Sequence, residues 1–87
     1  MTIYIEYQPS KMVIDADNKG VSLAIKTYTE VDGERYYANE GKVTRAAFRT
    51  VNVDENDVET TNANFAAEVE AFTGVSGLGD NLLAILS

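Results

Sequence analysis

The apolar residues of this chain recur at two different periods, and the change between them near residue 54 restricts the fold more than any other feature. Through the first half they alternate with polar residues. Ile3, Ile5 and Tyr7 alternate with Thr2, Tyr4 and Glu6, and Met12, Ile14 and Ala16 alternate again. Val21, Leu23, Ile25 and Thr27 follow, interleaved with Ser22, Ala24, Lys26 and Tyr28. A period of two is that of a strand with one covered face. The breaks between these runs are turn chemistry. Pro9 cannot donate to a ladder and ends the first strand. Asp17-Asn18-Lys19-Gly20 and Asn39-Glu40-Gly41 hold residues that tolerate positive φ. Asp32-Gly33 is a two-residue hairpin signal that pairs a strand at 21–31 with one at 34–38. The stretch 42–53 carries Val43, Ala47, Val51 and Val53 on one parity and reads as a further strand, although the alanines of 44–49 also suit a helix.

Beyond residue 54 the period changes. Asp54 to Asn62 is a polar, turn-rich connection. From about Ala63, Phe65, Val69 and Phe72 recur at i, i+4 and i+7 and mark one face of a helix over about 63–73. Gly74 suits the position just past a helix end. Gly77-Leu78-Gly79 then reads as a flexible joint, and Asp80 as the N-cap of a last short helix bearing Leu82, Leu83, Ile85 and Leu86. Strands followed by helices predict one α+β domain over residues 1–87: an antiparallel sheet of about four to five strands, with two C-terminal helices packed on one face.

Charge is distributed as unevenly as periodicity. Residues 1–49 hold seven acids and all seven bases, whereas residues 50–87 hold seven acids and no base, so the net charge of −7 sits in the C-terminal part. Such a field repels nucleic acid and membrane phosphates and attracts basic surfaces. Direct nucleic-acid binding and membrane binding are therefore not expected. No run approaches the roughly 20 apolar residues of a membrane span. The start of the chain has neither a basic segment nor a long apolar one, so it reads as a strand of a cytoplasmic protein and not as a signal peptide.

The residue types that carry most protein chemistry are missing. There is no histidine and no cysteine. Ser-His-Asp and Cys-His arrangements cannot be built, and the common zinc sites fail with them. Asp15-x-Asp17-x-Lys19-Gly20 begins like a calcium loop, but lysine stands at its fifth and, as Lys26, at its twelfth position, where a bidentate Glu belongs. Gly74 to Gly79 is glycine-rich but has no following Lys-Ser/Thr pair and does not follow a strand. Arg45 and Arg49 share a parity and suit cross-strand pairing with acids. An enzyme is not expected, and no cofactor is implied. What the chain has instead is tyrosine. Tyr4, Tyr7, Tyr28, Tyr36 and Tyr37 all fall on strands, and Tyr4 and Tyr28 oppose the aliphatic parity. Some of these rings should face away from the helices, where tyrosine makes a good interface anchor.

Phe72 to Gly79 with the short helix after it resembles the helix–joint–helix end of small phage-encoded type I anti-CRISPR proteins, in which the Ser-Gly-Leu-Gly tetrapeptide stands in the same place. The first strand, ending at Tyr7, and the strand Leu23 to Tyr28 leading into a glycine hairpin are also similar. The resemblance implies a short antiparallel sheet followed by two helices. It implies an inhibitor that binds the backbone subunits of a CRISPR–Cas surveillance complex and blocks target DNA hybridisation. Family contacts made by sheet tyrosines and a glutamate fall on Tyr7, Tyr28 and Glu40. The chain departs from the family in a segment at 11–20, in an acidic loop at 54–59, and in a shorter last helix without basic residues.

Two kinds of partner surface follow. The sheet tyrosines would bind a Cas protein complex, and the carboxylates Asp54, Glu55, Asp57 and Glu59 would steer it toward a basic surface. Alternatively, those carboxylates would mimic DNA and inhibit another basic nucleic-acid-binding protein. A small structural phage or host protein, acidic only for solubility, is the third possibility.

Overall fold

A computed structural model describes residues 1–87. Seven strands precede two helices: β1 Tyr4–Tyr7, β2 Val13–Asp15, β3 Gly20–Val31, β4 Glu34–Tyr37, β5 Thr44–Arg49, β6 Val51–Val53, β7 Glu59–Thr61, α1 Phe65–Thr73 and α2 Leu78–Leu86. The fold is α+β. A five-stranded antiparallel sheet is joined by a two-stranded one and followed by both helices. No helix is long and apolar enough to cross a membrane.

The twelve-residue β3 is the spine, and the other four strands of the main sheet pair with it. Its registers set the layout. Ile25 is flanked by Tyr7 and Thr44, Ser22 by Val13 and Ala47, and Tyr28 by Tyr4 and Tyr37. Thus β1 and β2 run along one edge, and β4 and β5 along the other. Each edge is interrupted by a 3-10 turn, at Pro9–Lys11 and at Asn39–Gly41. Proline opens the first turn; left-handed Asn39, Glu40 and Gly41 make the second. Asp32 and Gly33, at φ 52° and 82°, close the β3–β4 hairpin with both central residues left-handed, as the dipeptide predicts.

The core lies under only part of β3. Val21 and Leu23 meet Phe65, Val69 and Leu82, all nearly inaccessible to solvent, with Tyr7, Met12, Phe48 and Phe72 packed around them. Each helix has nine residues and spans about 13 Å, whereas β3 spans about 40 Å. The helices therefore cover the Gly20–Ile25 end of β3 and leave the hairpin end without a second layer. The molecule is accordingly elongated, 52 by 23 by 23 Å. Its radius of gyration of 15.0 Å exceeds the roughly 12 Å of a compact domain this size.

Four sequence expectations are corrected. The 42–53 stretch is two strands broken at buried Thr50, whose N–H donates to the Lys19 carbonyl. Within β5 the covered parity is the even one, Ala46 and Phe48, opposite Leu23 and Val21; Ala47 is exposed. The 54–62 connection contains a strand, β7, which folds back on β6 through a turn tied by the Asp54 side chain. Finally, α2 begins at Leu78, ahead of Asp80, with left-handed Gly77 as its N-cap. Gly79 is buried inside α2, where a Cβ would stand 2.7 Å from the Ala66 carbonyl carbon. This glycine permits close helix crossing; it is not a flexible joint. Gly74 does end α1, left-handed at φ 71°, with its N–H on the Glu70 carbonyl.

Candidate functional site

The hairpin end of the sheet has two faces. Pairing puts Tyr4, Glu6, Lys26, Tyr28, Glu30, Arg35 and Tyr37 on the face turned away from the helices. Each arrives there by parity: β1, β3 and β4 each contribute alternate residues, and the Asp32-Gly33 turn sets Tyr37 opposite Tyr28. Three tyrosines from three strands form a continuous layer. Tyr4 and Tyr28 stack with ring centroids 5.3 Å apart, and Tyr28 and Tyr37 lie 5.4 Å apart, tilted.

Charged groups tie the layer together. The Arg35 guanidinium lies over the Tyr28 ring, 4.4 Å from its centroid. It also bonds the Glu6 carboxylate at 2.9 Å and approaches Glu30 at 3.7 Å. The Tyr37 hydroxyl donates to Glu6 at 2.8 Å, and the Gln8 amide donates to the other Glu6 oxygen at 2.8 Å. The Lys26 ammonium stands 5.4 Å from the Tyr37 centroid. The hydrogen bond from Tyr37 and that from Gln8, aided by Arg35 and Lys26, hold the Glu6 carboxyl below the ordinary carboxylate range. The rings are therefore held in one arrangement while Tyr4 and Tyr37 remain 41% and 36% exposed. An aromatic surface fixed before binding loses little side-chain freedom on contact, which favours its use as an anchor.

The other residues singled out in the sequence are dispersed. Tyr7 lies on the opposite face from Tyr28: it pairs with Ile25, packs against the core, and donates its hydroxyl to the Met12 sulfur at 3.5 Å. Burial raises its pKa. Tyr7 and Tyr28 thus do not share a surface. Glu40 sits exposed in the left-handed turn between β4 and β5, its carboxylate 4.0 Å from Lys42. Asp54, Glu55 and Asp57 form the β6–β7 turn, and there Asp54 accepts from the Asn56 and Val58 N–H groups. Glu59 is paired with Lys19 at 2.8 Å, and that lysine holds its carboxyl below the usual range. Lys19 precedes the start of β3, so Glu59 lies about 30 Å from the tyrosine layer along that strand. Arg45 and Arg49 do not meet acids. They donate to the Lys11 and Asn18 carbonyls and fasten the turns beside them. Asp15 binds the Asn18 side chain and N–H, closing the β2–β3 hairpin at the turn that Asp17-Asn18-Lys19-Gly20 marks in the sequence.

The sequence marks Tyr28 as a contact and Tyr4 as a ring on the face away from the helices, but it does not place Tyr37, Arg35, Glu6 and Lys26 with them. The hairpin register carried a usable signal: a two-residue turn at Asp32-Gly33 sets Glu30 against Arg35 and Tyr28 against Tyr37. The partners on β1 had no such signal, because the chain between β1 and β3 is long. Chemically the layer offers aromatic faces and bonded ions. Every buried side-chain polar atom in the molecule has a hydrogen-bond partner, and no group of acids is arranged to hold a metal ion. The arrangement suits recognition. Comparison with protein-family models, with curated proteins and with solved structures finds no match to this chain.

Proposed function

We propose that the protein acts by binding a macromolecular partner through the Tyr4–Tyr28–Tyr37 layer, as a phage-encoded inhibitor that docks on a CRISPR–Cas surveillance complex and blocks its target DNA. The observation that carries the binding mode is the layer itself: three partly exposed rings, each held by a neighbour or an ion, on a face that no helix covers. The identity of the partner rests on the resemblance of the Ser76-Gly77-Leu78-Gly79 end and the sheet tyrosines to type I anti-CRISPR proteins. The one-sided acidity fits a partner surface that is basic because it receives DNA. Such an inhibitor works in the cytoplasm of the infected bacterium.

Binding kinetics against purified type I surveillance complexes, paired with phage plaquing on a CRISPR-immune host, test this reading. Tyr28→Ala should speed dissociation about thirtyfold, the scale of a 2 kcal/mol anchor, and abolish protection of the phage. Neutralising Asp54, Glu55, Asp57 and Glu59 together should slow association and flatten its salt dependence, leaving dissociation nearly unchanged. No binding and no protection would overturn the reading. Inhibition kept in Tyr28→Ala but lost in the neutralised variant would replace it with DNA mimicry by the acidic turn.

A further inference from the structure

The face of β3 turned away from the helices changes character along its length. At the hairpin end it carries the tyrosine layer. At the other end strand pairing sets Val13, Ser22 and Ala47 in one row across it, and Asp15, Gly20 and Arg49 in the next. These residues bound a depression of about 350 Å³, with Val13 and Asp15 on its β2 side and Arg49 on its β5 side. Gly20 has no room for a side chain. A Cβ there would stand 2.9 Å from the Phe48 carbonyl oxygen and 3.2 Å from Arg49 Cγ, so glycine is what lets Arg49 lie close over the strand.

Two guanidinium groups meet at this depression. Arg45 Nη1 donates to the Lys11 carbonyl at 2.8 Å and stands 3.4 Å from the Ser22 hydroxyl. Arg49 Nε donates to the Asn18 carbonyl at 2.9 Å. Each is thus fixed by a neutral acceptor and keeps further N–H donors of its five. Neither forms an ion pair, in contrast to Lys19, Arg35 and Lys42. Asp15 is the one carboxylate that pairing puts on this stretch, and Asn18 bonds both of its oxygens. Two arginines against one aspartate leave a single positive charge unbalanced. A nucleic acid needs a continuous row of cations, which this face lacks. One carboxylate matches the surplus and the donor geometry of arginine.

We propose that this depression receives one glutamate or aspartate side chain of a protein partner, its stem against Val13 and Ala47 and its carboxylate between Arg45 and Arg49. The Ser22 hydroxyl supplies a further donor. Ser22 lies about 20 Å from Tyr28 along β3, so one interface of ordinary size covers both. The proposal therefore rests on the reading that this face meets a partner, and adds an acidic residue to the surface that meets it.

NMR titration of the intact, isotope-labelled protein with an end-capped Gly-Glu-Gly peptide tests the site, with end-capped Gly-Gln-Gly and inorganic phosphate as comparisons. The glutamate peptide should bind in the millimolar range and shift the Nε–H signals of Arg45 and Arg49 and the amides of Gly20, Ser22 and Ala47. The glutamine peptide should bind at least about tenfold more weakly, and phosphate no more tightly than glutamate. Arg45→Gln and Arg49→Gln should each weaken the glutamate peptide about tenfold. Because both arginines also fasten turns, the contrast between the two peptides on the wild type decides the matter where a variant fails to fold. No shift up to about 50 mM peptide overturns the proposal. So does an equal response to glutamate and glutamine, a response confined to Lys19 and Lys42, or tighter binding of phosphate. The titration needs no surveillance complex, so its result stands even where that partner proves wrong. Against a complex that does bind, Arg49→Gln should speed dissociation, and an unchanged rate overturns the proposal.

Discussion

One strand, β3, runs through two regions held together by different physics. At Gly20–Ile25 it is buried: Leu23 and Ala24 are fully inaccessible, and the Phe65, Val69 and Leu82 side chains cover one face. At Lys26–Val31 the same strand has no layer beneath it, and its order comes from stacked tyrosines, an arginine over a ring and a hydrogen-bonded carboxylate. Apolar burial is worth about 25 cal/mol per Å² and dominates the first region. The second has cross-strand pairs worth roughly 0.2–1 kcal/mol each. Stability is concentrated in the helix-covered end, and the surface available for recognition in the other. Binding surfaces tend to belong to the less stable parts of a fold, because the groups that would stabilise them are left open for a partner.

The largest test of this contrast is at its buried pole. Phe65→Ala removes a ring only 1% exposed and should cost about 3–5 kcal/mol in denaturant unfolding, much of the roughly 5–10 kcal/mol of a small domain. Phe72→Ala, at a half-buried ring 5.5 Å from Phe48, should cost about half as much. Equal losses at the two positions would mean that the core extends further along α1 than it does here.

Next in size is the helix crossing. Gly79→Ala sets a methyl against the Ala66 backbone and should cost about 1–3 kcal/mol as the helices move apart. Ala at Gly33, which has open space around it, meets only the strain of its positive φ, about 1 kcal/mol. If thermal melts showed Gly79→Ala as tolerant as a surface change, Gly77–Gly79 would be the loose joint that composition suggests.

A smaller effect belongs to the exposed pole. Tyr28→Ala loses two ring contacts and the cation–π contact to Arg35, about 1 kcal/mol in total. Its signature should be local: faster hydrogen exchange in residues 28–37 with the core amides of 21–25 unchanged. Uniform loss of protection would show that the two ends unfold together and that the contrast is only one of appearance.

The smallest effect is set by pH. Glu6, held below its ordinary value of 4.5 chiefly by the Tyr37 hydroxyl, adds stability that is complete above that value and disappears as pH falls through its lower folded one. Asp15 and Glu59 act in the same direction, held down by Asn18 and by Lys19. An NMR titration from pH 6 downward should disturb the hairpin end before the core, and Glu6→Gln should remove that early step. On the alkaline side the sign is opposite in mechanism: Tyr7 has a raised pKa through burial, so its contribution holds below its ordinary 10.0 and is lost above it.

Much of the architecture was readable residue by residue. Alternation located β1 to β3, Asp32-Gly33 located the hairpin and with it β4, and the Phe65–Val69–Phe72 spacing located α1 and the face it buries. The parity of Tyr4 and Tyr28 against their aliphatic neighbours correctly turned those rings away from the helices. These signals are local: side-chain period and turn dihedrals depend on a few adjacent residues. Three features were not readable, and each depends on a distant part of the chain. Val43, Ala47, Val51 and Val53 share a parity, but Phe48 is covered because Phe72 reaches it from α1. Glu59–Thr61 is too short and polar to announce a strand and becomes one by pairing with β6. Gly79 looks like a joint until Ala66 lies against it.

By itself, then, the sequence determined the class of the fold, the order of its elements, and a chemistry without histidine or cysteine, since these follow from short-range pattern and composition. Only the tertiary structure decided which residues make a site. It brought Tyr37, Arg35 and Glu6 to Tyr28 and put Glu59 beside Lys19 at the far end of β3, whereas the alternation of Ile3, Ile5 and Tyr7 already sets Tyr7 on the aliphatic face, opposite Tyr4 and Tyr28. The reason is register. The pairing of β1 with β3 spans about twenty residues of intervening chain and depends on how Ile5 and Tyr7 fit beside α1 and the core. That is a property of packed surfaces, with no counterpart in local sequence.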